Sequence, residues 1–162
     1  MGAKCCKGKE KYPHLFSPIR IGNIRLKNRI IAAPTSPSMI TTEGHFTPEM
    51  TAYLEEKAKG GVAVVTYGES IVHSATGKSH NKQLQLDSFG VKQGMAQTAR
   101  AIHNAGAYAN IQLSHGGKYG GLVSVGGDQD GCEVAYGPSH EMTPAGEVQE
   151  MPKELILEIV ES

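Results

Sequence analysis

Val62-Ala-Val-Val-Thr-Tyr-Gly-Glu69 decides the fold class. Its first four residues are apolar without alternation, the pattern of a strand covered on both faces, and such strands belong to parallel sheets whose crossovers are helices. Arg29-Ile-Ile-Ala-Ala-Pro-Thr35 precedes it and Ala109-Asn-Ile-Gln-Leu-Ser-His-Gly-Gly117 follows it, both strand-like and both leading into helix-compatible sequence. The pattern predicts three β/α units in a row. In the first unit Thr47 can cap a helix, Pro48 suits its first position, and Met50, Tyr53, Leu54 and Ala58 fall on one face before Gly60-Gly61 stops it. The second helix is predicted from about Ser88 to Asn104, with Val91, Met95, Ala99 and Ile102 as its inward stripe and Gly106 past its end. The strand after it runs from Tyr108 to Leu113. A third helix starts at Pro152, with Leu155, Ile156, Ile159 and Val160 on one face and no terminator before Ser162.

Further out, Ile19-Arg-Ile-Gly-Asn-Ile-Arg-Leu26 alternates apolar and polar on both sides of Gly22-Asn23, which predicts a short hairpin able to plug one end of a barrel. Residues 1–13 read as a disordered, Lys-rich lead-in, and 14–162 as one incomplete domain. From Ser114 to Glu150 runs a Gly-rich connection, with Gly116-Gly117, Gly120-Gly121 and Gly126-Gly127. Its length makes it a candidate functional loop.

The bulk properties narrow the function classes. At 162 residues, 39% hydrophobic and 20% charged, the chain holds one globular domain at most. Sixteen basic residues balance sixteen acidic ones, so no net field favours nucleic acid or an anionic membrane. Three cysteines, Cys5 and Cys6 adjacent and Cys132 in a Gly/Asp loop, give no disulfide framework or metal-ligand spacing, which fits a reducing cytoplasm. No stretch reads as a signal peptide or a membrane span, and Cys6 stands where a myristoylation pattern wants Ser or Thr. His45, His73, His80, His103 and His140 lack the mutual spacing of a metal site and read as surface or loop residues.

Two architectures suit buried parallel strands alternating with helices, the closed (β/α)8 barrel and the doubly wound open sheet, and periodicity does not choose between them. The first strand-to-helix junction lacks Gly-x-Gly-x-x-Gly and carries Ala33-Pro34-Thr35-Ser36 instead, a hydroxyl pair at a strand's carboxyl end. From the residues alone, Thr35 and Ser36 after a proline suit a turn or helix cap before a ligand. Gln112, polar in an apolar strand, needs either a buried backbone partner or a bound group.

Leu15-Phe-Ser-Pro-Ile-Arg-Ile-Gly-Asn-Ile-Arg-Leu-Lys-Asn-Arg-Ile-Ile-Ala-Ala-Pro34 resembles the amino-terminal signature of the old yellow enzyme family of flavin-dependent ene-reductases. Tyr53-Leu-Glu-Glu-Lys-Ala-Lys-Gly-Gly-Val62 and Ile111-Gln-Leu-Ser-His-Gly-Gly-Lys118 resemble its next two signatures, in order, with a flavour closer to the NADH:flavin oxidoreductase, 2-enoate reductase and 2,4-dienoyl-CoA reductase branch. The resemblance implies a TIM barrel, of which this chain carries the hairpin and first three β/α units, with FMN across the carboxyl ends of the strands. It implies NADH or NADPH as reductant and an α,β-unsaturated small molecule as substrate, with hydride passing from nicotinamide to flavin N5 and on to the β-carbon of the alkene.

By the same resemblance Pro34, Thr35 and Ser36 would line the flavin ring, Gly68 and Glu69 would contact it from the second strand, and Gln112 would hydrogen-bond its pyrimidine end. An amide and hydroxyls supply the in-plane donors and acceptors a flavin needs. Glu69 departs from the small residue the family prefers, so its carboxylate has to turn away and leave only backbone to the ring. His115, in His115-Gly-Gly-Lys118, reads as organising its loop, and Lys27 and Arg29 as structural anchors. The catalytic pair, the tyrosine proton donor and the phosphate-gripping loops are expected in later units. The chain is therefore expected to be a truncated portion of such an enzyme. The alternative expectation is an inert remnant or half-barrel that self-associates or pairs with a separately encoded remainder.

Overall fold

A computed structural model describes residues 8–120, 134–144 and 146–162. The lead-in at 1–7, with Cys5 and Cys6, and the central part of the Gly-rich connection, with Cys132, lie outside the described residues. Residues 8–11 form a helical turn. The hairpin follows: β1 (Ile19–Ile21) pairs antiparallel with β2 (Ile24–Leu26), Ile19 opposite Leu26. Gly22 turns the chain at φ +54°, a conformation that favours glycine.

The main sheet is parallel and is built from the three expected strands. β3 (Ile31–Thr35) and β6 (Tyr108–Ser114) flank β4 (Val64–Ile71), and the short β5 (Leu84–Gln85) pairs with the last two residues of β4. The helices α1 (Pro48–Lys59) and α3 (Val91–Asn104) cover one face, and a single helical turn, α2 (Ser74–Gly77), lies between β4 and β5. The core between helices and sheet joins Met50, Leu54 and Ala58 of α1 to Val65 and Tyr67 of β4 and to Val91 and Ile102 of α3. On β6, Ala109 and Ile111 pack onto this core, whereas Tyr108, Asn110 and Gln112 alternate to the opposite face. On that face the Asn110 amide donates to Thr66 Oγ1 at 3.3 Å.

α1 begins as the sequence predicts. Thr47 Oγ1 accepts from the Met50 amide at 3.1 Å and donates to the Met39 carbonyl at 3.0 Å. Thr47→Ala is expected to cost about 1 kcal/mol, read as a lower urea midpoint at unchanged slope. α3 starts three residues later than Ser88, because Gly90 takes a left-handed conformation (φ +83°) that ends the preceding turn. Its inward stripe also includes Thr98, a polar residue admitted to the interface because its hydroxyl pairs with Thr51 of α1 at 2.8 Å.

The hairpin is fastened at the amino-terminal end of the sheet. Leu26 is buried with Ala63 and Val64, the Asn28 amide donates to the Gly61 carbonyl at 2.8 Å, and Lys27 Nζ donates to the Gly106 carbonyl at 2.6 Å. Arg29 Nε reaches Ser17 Oγ at 3.2 Å, so Lys27 and Arg29 serve as the anchors their positions suggest. The last part of the Gly-rich connection is a second small sheet, with β9 (Gly146–Glu150) between β7 (Ala135–Gly137) and β8 (Glu141–Thr143). α4 (Lys153–Glu161) closes the chain with no residue of it buried. The architecture is thus the hairpin and three β/α units of a parallel sheet without closure, and among the described residues β3 and β6 pair on one side only, apart from β5 at the end of β4.

Candidate functional site at the carboxyl ends of the strands

Both β3 and β4 change register near their carboxyl ends. Ala32 lies opposite Val65 and Thr35 opposite Tyr67, so β3 carries one residue more than β4 across Ala33-Pro34. β4 in turn carries one more than β6 across Gly68-Glu69, between the pairs Tyr67–Ile111 and Ser70–Leu113. Such insertions re-aim side chains, and proline fits one because its ring removes the ladder donor.

The consequence is a convergence of three strands on Gly68. A Cβ built there would stand 2.5 Å from Gln112 Oε1, 2.8 Å from Gln112 Cβ and 3.0 Å from Pro34 Cβ. Glycine at 68 lets Pro34 and Gln112 close onto bare backbone, so three of the six residues singled out in the sequence meet at one point. Gln112 is exposed, and no described residue hydrogen-bonds its amide.

Ser36 and Thr35 part ways. The Ser36 hydroxyl reaches Tyr67 OH at 3.3 Å, at the rim of the same strand ends. Tyr67 is 3% exposed and stacks edge-on against Phe46 at 4.8 Å, and burial first, with Glu69 adding to it, raises its phenol above the ordinary range. Thr35 turns instead to the helix layer, where Lys57 Nζ donates to its hydroxyl at 2.6 Å and sits 4.5 Å over the Tyr53 ring. Lys57 first, and Thr35 second, lower the Tyr53 phenol. The side chain of Thr35 is therefore committed to the helix layer.

Glu69 also turns away, into a network the sequence gives no periodic signal for. Its Oε1 accepts from Gln83 Nε2 at 2.6 Å and lies 3.2 Å from His80 Nε2. Gln83 is fully buried, and its own Oε1 accepts the amides of Ser79 at 2.8 Å and His80 at 3.2 Å. The loop between α2 and β5 is thereby tied to the end of β4. The apolar groove lined by Phe46, Tyr67, Met95, Ile102, Ala109 and Ile111 lies on the helix-covered face, away from Gly68, and is a packing seam. Among the described residues no group of three or more His, Cys, Asp or Glu could hold a metal, and no helix is long and apolar enough to cross a membrane.

Residues 14–162 match the NADH:flavin oxidoreductase / NADH oxidase family. The chain is similar to cinnamate reductase of Clostridium sporogenes, 28% identical over 162 residues covering 95% of this chain and 24% of the relative. It superposes on 2-naphthoyl-CoA reductase in its complex with 2-naphthoyl-CoA with a TM-score of 0.80 and 30% identity, over 93% of this chain and 24% of that one. Old yellow enzyme from Pichia sp. AKU4542 shares the fold, with a TM-score of 0.76 at 22% identity over 90% of this chain and 39% of that one. The chain thus spans about a quarter of the length of the curated relative it matches almost throughout.

Proposed function

This chain belongs to the NADH:flavin oxidoreductase / NADH oxidase family, and we propose that it forms the ring-edge half of an FMN site in an NAD(P)H-dependent reductase of activated C=C bonds. The convergence of Pro34, Gly68 and Gln112 carries the reading, because three adjacent strands, far apart in sequence, bring bare backbone and an unpartnered amide together at their carboxyl ends. These residues fit a flat heterocycle. The Gly68 backbone offers a surface without a side chain, the Gln112 amide offers a donor and an acceptor in one plane, and the Ser36 hydroxyl stands at the rim. FMN, when bound, supplies hydride chemistry at its N5.

Under this reading Gln112 orients the pyrimidine end, Pro34 and Ser36 border the ring, and Thr35 and Glu69 contribute backbone only. Cinnamate reductase and 2-naphthoyl-CoA reductase support an unsaturated carboxylate or thioester as substrate. Grip on the phosphate, the remaining strands and the groups that hold substrate would come from further β/α units. Those units could be covalently joined or could associate with the one-sided edges of β3 and β6. A cytoplasmic setting, where NADH and NADPH are available, belongs to the same reading.

The test joins this chain to the carboxyl-terminal remainder of a family member and titrates FMN by fluorescence. The joined barrel is expected to bind FMN where the isolated chain retains none. Gln112→Ala is expected to weaken binding roughly five- to hundredfold, the loss of about 1–3 kcal/mol for one buried hydrogen-bonding group. Unchanged affinity would remove Gln112 from the site.

A further inference from the structure

His115 follows β6 and sits in a directional chain of hydrogen bonds. The Gly117 amide, which can only donate, points at His115 Nδ1 at 3.0 Å, so the neutral ring carries its proton on Nε2. That Nε2 lies 2.9 Å from Thr76 Oγ1 and donates to it. Thr76, having accepted, donates onward to His73 Nδ1 at 2.8 Å, which leaves the His73 proton on Nε2, 3.6 Å from Glu158 Oε1 of α4. One amide thus fixes two tautomers and the sense of every hydrogen bond from the glycine loop to His73.

The surrounding backbone has no slack. A Cβ at Gly77 would stand 2.7 Å from His115 Cδ2, one at Gly116 2.6 Å from the Gly77 carbonyl oxygen, and one at Gly120 2.6 Å from the Thr76 carbonyl oxygen. The Gly116 amide also donates to the Gly77 carbonyl at 2.8 Å. The turn at 73–77 and the loop at 115–120 are therefore clasped through backbone, and the imidazole pair lies between them.

The two rings respond differently to a second proton. On His73 the open nitrogen faces the Thr76 hydroxyl, which can rotate its hydrogen away, and the resulting cation faces Glu158. On His115 the open nitrogen faces the Gly117 N–H, which cannot rotate, so protonation sets donor against donor. We propose that Gly117, His115, Thr76, His73 and Glu158 form a proton-operated latch: a proton on His73 leaves it shut, whereas a proton on His115 breaks its bond to the Gly117 amide and loosens the glycine loop at 115–120 beside the turn at 73–77.

The charged groups around the pair agree with this asymmetry. Asp87, from the turn before α3, is engaged by the Ser74 amide and hydroxyl at 2.7 and 2.9 Å, and Lys118 of the loop is held by Glu141 of β8 at 3.0 Å. Glu158 of α4 faces His73, so among the described residues the carboxylate in contact with this imidazole pair serves His73 and not His115. Burial first, and His73 second, hold His115 below its ordinary value of 6.5. The unfolded chain then takes up this proton before the folded one, so the stability tied to His115 is complete above about pH 6.5 and is lost as pH falls toward the folded value.

Long-range proton–nitrogen NMR of the full chain from about pH 8 to about pH 4.5, with amide exchange in parallel, tests the latch. Expected are Nε2–H tautomers for both rings at neutral pH, and loss of Gly117 and Gly120 amide protection that follows the His115 titration. In His73→Gln, whose side-chain oxygen still accepts from Thr76 but carries no charge, the His115 midpoint is expected to rise toward 6.5. An Nδ1–H tautomer at His115, Gly117 exchange that ignores the His115 titration, or an unmoved midpoint in His73→Gln would each overturn the proposal. The first two are read on the unsubstituted chain and stand even if the variant fails to fold.

Discussion

Gly68→Ala is expected to destabilise the chain by about 1–3 kcal/mol, the usual range for forcing extra carbon into a closed packing site. The added Cβ would meet Gln112 Oε1 at 2.5 Å, Gln112 Cβ at 2.8 Å and Pro34 Cβ at 3.0 Å. The amide oxygen can swing aside, because it ends a flexible side chain. The two Cβ atoms are fixed to strands and cannot. The cost should therefore persist almost whole in a Gln112→Ala background, which retains the Cβ, and shrink in a Gln112→Gly background, which does not. Urea unfolding of the four chains in each double-mutant cycle reads this coupling directly. Equal costs in all three backgrounds would mean that β4 and β6 do not meet at Gly68, and the convergence on which the cofactor reading rests would be lost with it.

The strands and main helices were legible because their signals are local. Val62-Ala-Val-Val, the Thr47-Pro48 start and the Gly22-Asn23 turn each fix backbone conformation through sterics or capping within a few residues; the helix start and the turn appear where expected, and the strand begins two residues later, at Val64. The family resemblance added the order of units, in agreement with the family match over residues 14–162 and with the superposition on 2-naphthoyl-CoA reductase. What local pattern does not encode is where a side chain points after a register change. Thr35 and Ser36 are neighbours of equal chemistry, yet the extra residue at Ala33-Pro34 sends Thr35 to Lys57 and leaves Ser36 with Tyr67. α2 and β5 were equally illegible. They are too short for periodicity, and they are held by the tertiary contacts of Gln83 and Asp87.

The carboxylate of Glu69 is held by one fully buried amide, and this makes Gln83→Glu a consequential single-atom exchange. The acceptor side of residue 83 would keep both of its partners, the Ser79 and His80 amides. The donor side would not, since Nε2, now 2.6 Å from Glu69 Oε1, would become a second carboxylate oxygen at a fully buried position, facing a Glu69 side chain that is itself 36% exposed. Two carboxylates at that distance share one proton or separate. The introduced carboxyl therefore has a folded pKa above its unfolded value of about 4.3, and the sign follows: its stability contribution is intact below that value and is lost as pH rises through the folded pKa. Near neutral pH the expected cost is about 3–5 kcal/mol, the range for a buried charge left without compensation. Gln83→Met serves as the reference, because it removes the same donor without adding charge and its cost should not change with pH. A stability difference between the two variants that widens from acid to neutral pH is the expected result of chemical denaturation across that range. A flat difference would show that the side chain at 83 is not enclosed beside Glu69, and the network assigned to Gln83 would be wrong.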